Sequence, residues 1–307
     1  KVNGWAIRVE RATGAWSLSP PHSEKRVLSA PPSCTERGSP NPIRLGSGDP
    51  EMTHAFGNFR IKLETLQWQQ LPETPPSLNK KDGELTITWG ADNDDKLVAK
   101  LSFSAQKDAN LKIRLSSPTE KISAGEMHFR CGSSESFFGL GTQVTGMDLR
   151  GGPYPLWTQE QGHGKTEDSE VYPLTNIPEA AYAPMGIWYS SMGYTAIQSH
   201  SFYTEIDLCE SNSERVKISS YKHLPAFVLV SGETPKERLE SVTEYTGRLN
   251  PEPPSWVFGP WLDAVGGPWR IDEVIETARA NEIPASAVWT EDWAGADVTA
   301  DQFKLTY

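Results

Sequence analysis

Apolar residues recur at every second position through most of the first 230 residues. Glu84 to Trp89 and Lys96 to Ser104 alternate apolar and polar side chains, and Leu111 to Leu115 and Met127 to Arg130 continue the pattern. This is the two-residue period of half-buried strands. Ala55 to Gln67 reads as one further alternating run, through Phe56, Phe59, Ile61 and Leu63. Shorter strand-like pieces, Gly4 to Arg8 and Gly14 to Leu18, lie among loops marked by Pro20-Pro21, Pro31-Pro32 and Pro40-Asn41-Pro42. Met185 to Tyr189 and Tyr194 to Gln198 predict a hairpin around Met192-Gly193, and Glu205 to Leu208, Val216 to Ser219 and Ala226 to Ser231 predict three more strands. Strands at short intervals with no convincing helix predict a large antiparallel β-sandwich.

The period changes after Gly232. Thr234 can cap a helix, Pro235 suits its first position, and Glu237 puts negative charge at the positive end of the dipole. Leu239, Val242 and Tyr245 fall on one helical face, and Gly247 is placed to end it. Pro251, Pro253 and Pro254 form a stiff connector. Trp256 to Leu262 then reads as a short apolar strand, Ile271 to Ala280 as a helix and Ala285 to Thr290 as the next strand. A strand–helix–strand unit of this length is a right-handed crossover between parallel strands. One such unit cannot bury both faces of its sheet, which predicts that further units lie outside the 307 residues. The expected organisation is a sandwich over residues 1–231, a linker helix and Pro-rich connector over 232–255, and the start of a parallel α/β domain over 256–307.

Composition narrows the partners. The net charge of −11 opposes binding to nucleic acid or an anionic membrane, whose phosphates would be repelled. No run of about 18 apolar residues predicts a membrane span. Cys34, Cys131 and Cys209 show no metal-binding spacing, and any disulfide leaves one thiol over, so cysteine leaves the compartment open. Eleven tryptophans either fill sandwich cores or offer flat faces to the apolar side of a sugar ring.

Glu291, Asp292 and Trp293 close the second parallel strand, and in parallel α/β folds the carboxyl ends of strands carry the ligand site. A carboxylate there can accept hydrogen bonds from two sugar hydroxyls or act as an acid or base. Trp293, and Trp261 at the end of the preceding strand, favour substrate binding over a solvated strand-end acid. Asp263 beside Val265-Gly266-Gly267-Pro268 reads as part of a tight turn, since the GxGxxG spacing of a phosphate cradle is absent. Glu160-Gln161-Gly162-His163-Gly164 joins an acid, an amide and an imidazole to glycines that let backbone approach a ligand, although a structural turn fits as well. His163 has no H-x-x-x-H partner for a metal, and no G-x-S-x-G elbow supports a hydrolase triad.

Several of these segments together resemble glycoside hydrolase family 31, which includes α-glucosidases, α-xylosidases and sulfoquinovosidases. They are Phe138-Gly139-Leu140-Gly141, the Pro155-to-Lys165 loop, Gly232-x-Thr234-Pro235 with Tyr245-Thr246-Gly247-Arg248, and Pro253-Pro254-x-Trp256-x-Phe258-Gly259. The resemblance spans about Phe137 to Trp293 and implies a β-sandwich followed by the first βαβ unit of a (β/α)8 barrel. It implies a carbohydrate substrate, no metal or organic cofactor, and a retaining mechanism with two aspartates. Those aspartates belong to later barrel strands, so none is assigned to Asp263, Asp292 or Asp297 and the chain alone is expected to be inactive. The loop and Val288-Trp289-Thr290-Glu291-Asp292-Trp293 are most similar to the sulfoquinovosidase branch. That branch's sulfonate-holding positions fall on Val265, Glu291, Lys304 and Tyr307, of which only Glu291 keeps the branch's residue type. Lys304 meets an anion as a point charge, without the fork of an arginine. The substrate-binding set implied is Glu291, Trp261, Trp293, Gln161, Glu160 and Lys304, around a neutral α-linked sugar in preference to a sulfonated one. The alternatives are a divergent sulfonate pocket, a non-catalytic carbohydrate-binding sandwich, or an α-glucan lyase on the same fold. Oligomeric state is left open.

Overall fold

The computed structural model describes residues 1–21, 23–31, 42–55, 58–72, 74–90, 97–160, 162–164, 178–248, 252–291, 296–298 and 303–305. The chain is mainly β and divides into two units, Lys1–Thr246 and Gly247–Tyr307.

The first unit is a sandwich. One sheet has eight strands in the order Phe137–Gly141, Pro184–Ser190, Tyr194–Gln198, Ala226–Ser231, Leu111–Ser116, Ala99–Ala105, Glu84–Trp89 and Ser77–Lys81. The other has six, Pro153–Leu156, Thr204–Leu208, Arg215–Tyr221, Ile122–Arg130, Ile43–Ser47 and Gln67–Gln70. All of their pairings are antiparallel, and the Met192-Gly193 hairpin forms as its sequence predicts. Alternation decides which side chains go inside. In Ala99–Ala105, Leu101 and Phe103 are buried while Lys100 and Ser102 are only partly so. Leu101, Phe103, Ile113 and Phe227 from one sheet share a core with Leu45, Met127, Phe129 and Ile218 from the other. Trp16, from a three-stranded sheet over Ala6–Val9, Trp16–Ser19 and Leu28–Ala30, meets Phe103 and Phe129 edge-on at 5.2 and 5.8 Å. Each such ring contributes about 1.5–3 kcal/mol by burial.

One expectation changes in this unit. The Ala55-to-Gln67 run divides into the hairpin Glu51–Ala55/Asn58–Lys62 and the strand Gln67–Gln70. A turn closed by Leu66 N–H to the Leu63 carbonyl (3.0 Å) interrupts it, where two polar residues separate the apolar ones. The helix Pro235–Thr246 is capped as expected, with Glu237 N–H donating to Thr234 Oγ1 (3.2 Å) and Glu237 Oε2 accepting from the Glu233 and Thr234 N–H groups. Its Val242 packs with Ile197, Val228 and Val230, so the helix is an outer layer of the sandwich as well as a connection out of it. Cys131 and Cys209 form a disulfide between the ends of the two strands that flank Arg215–Tyr221. Cys34 lies outside the described residues.

In the second unit, Ser255–Phe258 is a 3-10 turn where a strand was expected. Val257 N–H reaches the Pro254 carbonyl and Gly259 N–H the Trp256 carbonyl, so those residues bond locally and the strand begins only at Trp261. Trp261–Val265 pairs in parallel with Ala287–Glu291, Trp261 opposite Ala287 and Val265 opposite Glu291. Gly266 and Gly267 take φ of 96° and 100°, a region that favours glycine, and turn the chain into the helix Pro268–Ala280. The helix packs on the first strand, with Ala264 and Ala278 buried. A two-stranded hairpin, Ala296–Val298 with Phe303–Leu305, follows.

Candidate functional site

The parallel pair sets one row of side chains. Successive residues of a strand point to opposite faces, so Trp261, Asp263 and Val265 share a face with Trp289, the partner of Asp263. Leu262 and Ala264 take the other face, where Ala264 is buried and the helix packs. The first face is open, with Trp261, Asp263, Val265 and Trp289 all exposed. Along it Trp256 stacks on Trp261 (5.7 Å, 27°), and Trp261 meets Trp289 in a tilted contact (6.2 Å, 35°).

Glu291 closes its strand and pairs in register with Val265, an acidic position beside an apolar one. Asp263 stands inside the first strand, where a turn position was expected. Trp261 opens that strand instead of closing it, because the strand starts five residues later than its sequence predicts. It therefore lies four residues from the level of Glu291, roughly 13 Å at about 3.3 Å per residue, and belongs to a different layer of the face. Lys304 is in the hairpin opposite Asp297. Trp293, with Asp292 and Tyr307, is outside the described residues.

The Pro155-to-Lys165 loop is on the first unit. Its described part is tied to residues 180–183 by Gln159 N–H to the Ala181 carbonyl (3.0 Å) and Gly162 N–H to the Ala180 carbonyl (2.9 Å). The Tyr182 hydroxyl donates to Glu160 Oε2 at 2.5 Å, which holds that carboxylate half-buried. Gln161 and Lys165 are outside the described residues, and His163 is exposed.

Beside the start of this loop is a cavity of about 660 Å³, walled by Trp157, Met185, Ile187, Gln198, His200 and Phe202. The sequence gives no sign of it, because its residues come from separate strands and turns. Phe202 stacks on His223 (5.0 Å, 15°), and His200 lies 4.4 Å from the same ring. Gln198 Nε2 donates to the His200 carbonyl at 2.9 Å and lies 3.3 Å from its Nδ1. Burial, and then the neighbouring His223, push the His200 imidazole down to about 4, so at neutral pH it is an uncharged aromatic wall. An aromatic cavity with an amide at its edge suits a sugar ring or another small polar ligand.

A further polar group lies across the six-stranded sheet. Burial pushes the Glu126 carboxyl up, but His128, whose Nε2 lies 3.5 Å from Oε2, and the charges of Arg44 and Lys217 outweigh it and hold it below its ordinary value. Arg44 Nη1 donates to Glu126 Oε2 at 3.0 Å. No cluster of three or more His, Cys, Asp or Glu that could hold a metal occurs among the described residues. No helix among them is long and apolar enough to cross a membrane.

Residues 51–173 match the family model of the glycosyl hydrolase 31 N-terminal galactose mutarotase-like domain. The chain is 25% identical over 264 residues to a sulfoquinovosidase of Escherichia coli (strain K12), covering 83% of this chain and 38% of that protein. It is 26% identical over 186 residues to the alpha-xylosidase XylQ of Lactiplantibacillus pentosus, covering 61% of this chain and 23% of that protein. A solved structure of a GH31 family sulfoquinovosidase from E. rectale, in complex with the aza-sugar inhibitor IFGSQ, aligns with a TM-score of 0.70. Identity there is 21%, with 98% of this chain and 43% of that one covered. The chain thus has a β-sandwich similar to that of these glycoside hydrolases. More narrowly, it resembles the N-terminal portion of glycoside hydrolase family 31 proteins, sulfoquinovosidases and α-xylosidases among them. It spans well under half the length of these relatives.

Proposed function

We propose that the chain is the N-terminal part of a retaining α-glycosidase. The sandwich leads into the first two strands of a (β/α)8 barrel, and Glu291 meets sugar hydroxyls at their carboxyl ends. The observation that carries this reading is the parallel pairing of Trp261–Val265 with Ala287–Glu291, which puts a carboxylate at the end of a strand where barrel enzymes bind substrate. The two aspartates of the retaining mechanism belong to later strands, so residues 1–307 bind and position while the reacting carboxylates come from elsewhere.

The same register bears on the sugar. Val265 stands opposite Glu291, at the position where the sulfoquinovosidase branch has a polar residue, and offers no hydrogen-bond donor to a sulfonate. A neutral α-linked sugar therefore fits better. The sulfonated sugar is the second reading, favoured by relatives that are themselves sulfoquinovosidases. Glu160, held by Tyr182, is assigned to the substrate side of the sandwich loop together with Gln161. Trp293 and Lys304 complete the proposed binding set. Trp261 is left to the lower layer of the open face, where it packs against aromatic rings.

The test uses the protein extended to the length of its relatives and a panel of p-nitrophenyl α-glycosides that includes the α-sulfoquinovoside. Cleavage of neutral members is expected, and cleavage of the sulfonated member alone overturns the substrate reading. Glu291→Gln is expected to lower kcat/KM by roughly tenfold or more, since an amide replaces a charged acceptor. Unchanged kinetics would remove Glu291 from the site.

A further inference from the structure

A groove of about 700 Å³ runs along the three-stranded sheet of the first unit and the end of the strand Ile122–Arg130. Arg8, Arg26 and Arg130 line it, and all three are exposed. Strand pairing puts Arg8, Ser17 and Ser29 in one row, Arg8 opposite Ser17 and Ser17 opposite Ser29. Arg130 faces Arg215 directly across its own strand pair. Like charges at that spacing repel and destabilise a sheet. Burial, and then the charge of Arg130, lower Arg215 from its ordinary value, while Glu214 acts the other way.

Neutralisation from within is small. Among the described residues Glu10 is the one carboxylate lining the groove, and its Oε2 accepts a hydrogen bond from Thr13 Oγ1 at 2.8 Å. Among the described residues no ion pair reaches Arg8, Arg26 or Arg130. A chain of net charge −11 thus gathers three forked cations around one concave surface and leaves them facing solvent.

We propose that this groove binds a short anionic saccharide. Its carboxylate or sulfate oxygens meet the guanidiniums of Arg8, Arg26 and Arg130, and its hydroxyls meet Ser17 and Ser29. Arginine matches such oxyanions two bonds at a time, which a lysine cannot do. The overall negative charge selects for length. A ligand confined to the groove lies within one Debye length, about 8–10 Å, of the arginines. A long polyanion or an anionic bilayer extends beyond that and meets the acidic remainder. The hydroxyl row beside Arg8 favours a sugar over a peptide, since it adds donors and acceptors suited to sugar hydroxyls next to the cation. The groove belongs to the first unit alone, so the inference stands apart from the barrel site and from Glu291.

The test is isothermal titration of the 307-residue chain with a disaccharide carrying one carboxylate and one sulfate, its desulfated counterpart, and maltose as the neutral control. Both acidic sugars are expected to bind, the doubly charged one more tightly. Affinity should fall about tenfold between roughly 20 and 200 mM salt, as counterions compete for the arginines. Loss of binding on desulfation would assign the site to sulfate, and equal binding would assign it to the carboxylate. Arg130→Ala is expected to weaken binding about tenfold and Arg130→Lys less, with Arg114→Ala, an exposed arginine on another strand, as the control that changes nothing. Thermal melts of each variant check that the fold is kept. Equal binding of maltose, equal losses at Arg114 and Arg130, or binding of inorganic sulfate as tight as that of the sugars would overturn the proposal. So would binding confined to duplex DNA, anionic vesicles or an acidic peptide.

Discussion

The two units use tryptophan in opposite ways. In the first, Trp5, Trp16, Trp89 and Trp188 are 0–4% exposed, whereas in the second Trp256, Trp261, Trp269 and Trp289 are 45–66% exposed. Composition alone permits either fate, and the number of packed layers decides between them. Two sheets closing on each other give every inward ring a partner, as Trp16 has in Phe103 and Phe129. One helix against two parallel strands covers a single face, and on the other face Trp256, Trp261 and Trp289 meet one another in sequence.

The largest test of this difference is truncation on each side of it. Trp89 is fully buried, and Gly14, at φ 70°, is so close that a β-carbon there would stand 2.8 Å from its ring. Trp89→Ala should cost about 3–5 kcal/mol, the range for a large core side chain that leaves a cavity. Trp261→Ala should cost well under half of that. Chemical denaturation followed by circular dichroism reads both, and equal losses would end the distinction between the units.

A smaller effect is expected at the disulfide, which ties two strands of the first unit across a sequence separation of 78. Replacing Cys131 and Cys209 together by serine should lower stability by roughly 2–4 kcal/mol, because the unfolded chain regains the freedom of that loop. Hydrogen exchange by mass spectrometry should place the loss in the sandwich and leave the helix Pro268–Ala280 unchanged. A loss shared equally by that helix would mean that the two units unfold as one.

Much of the fold is legible in the residues. The period-two runs became strands, the Thr234-Pro235-x-Glu237 pattern became a capping box, and Gly266-Gly267 became the turn into the second helix. The failures share a cause, which is that periodicity records which way side chains point and not where the backbone turns. In the run from Ala55 to Gln67, the apolar positions from Phe59 onward slip by only one residue, between Leu63 and Leu66, where the backbone turns. The apolar run from Trp256 hides a 3-10 turn, and that error moved Trp261 from one end of its strand to the other. Of the candidate site, Glu291 could be placed because strand ends follow from the crossover pattern. His200, Phe202 and His223 could not be, since their contact depends on which strands become neighbours.

That ring cluster supplies a pH test. His200 is pushed down to about 4 from 6.5, so its neutral form stabilises the fold fully above about pH 6.5. The contribution is lost as pH falls through about 4, where the unfolded chain has already taken up its proton. Glu126 is also depressed, from 4.5, and its contribution is lost only below that value. His200→Phe keeps an aromatic ring but no titration. Its melting temperature should fall less than that of the parent between about pH 6.5 and pH 5, above the Glu126 window. Parallel melting curves across that range would show that His200 is not the titrating group.

The smallest effect separates exposure from idleness within the second unit. Trp269 is 66% exposed on the first turn of its helix, while Trp261 and Trp289 lie in a ladder of ring contacts. Trp269→Ala should change stability by no more than about 0.5 kcal/mol, as for most surface substitutions. A double-mutant cycle on Trp261 and Trp289 should give a coupling of about 0.5–1.5 kcal/mol, the range for paired rings. The same cycle on Trp269 and Trp289 should give none. A coupling for Trp269 as large as that for Trp261 would mean that the helix and the open face of the strands act on one another. The second unit would then be a packed body, and the contrast with the sandwich would be one of degree.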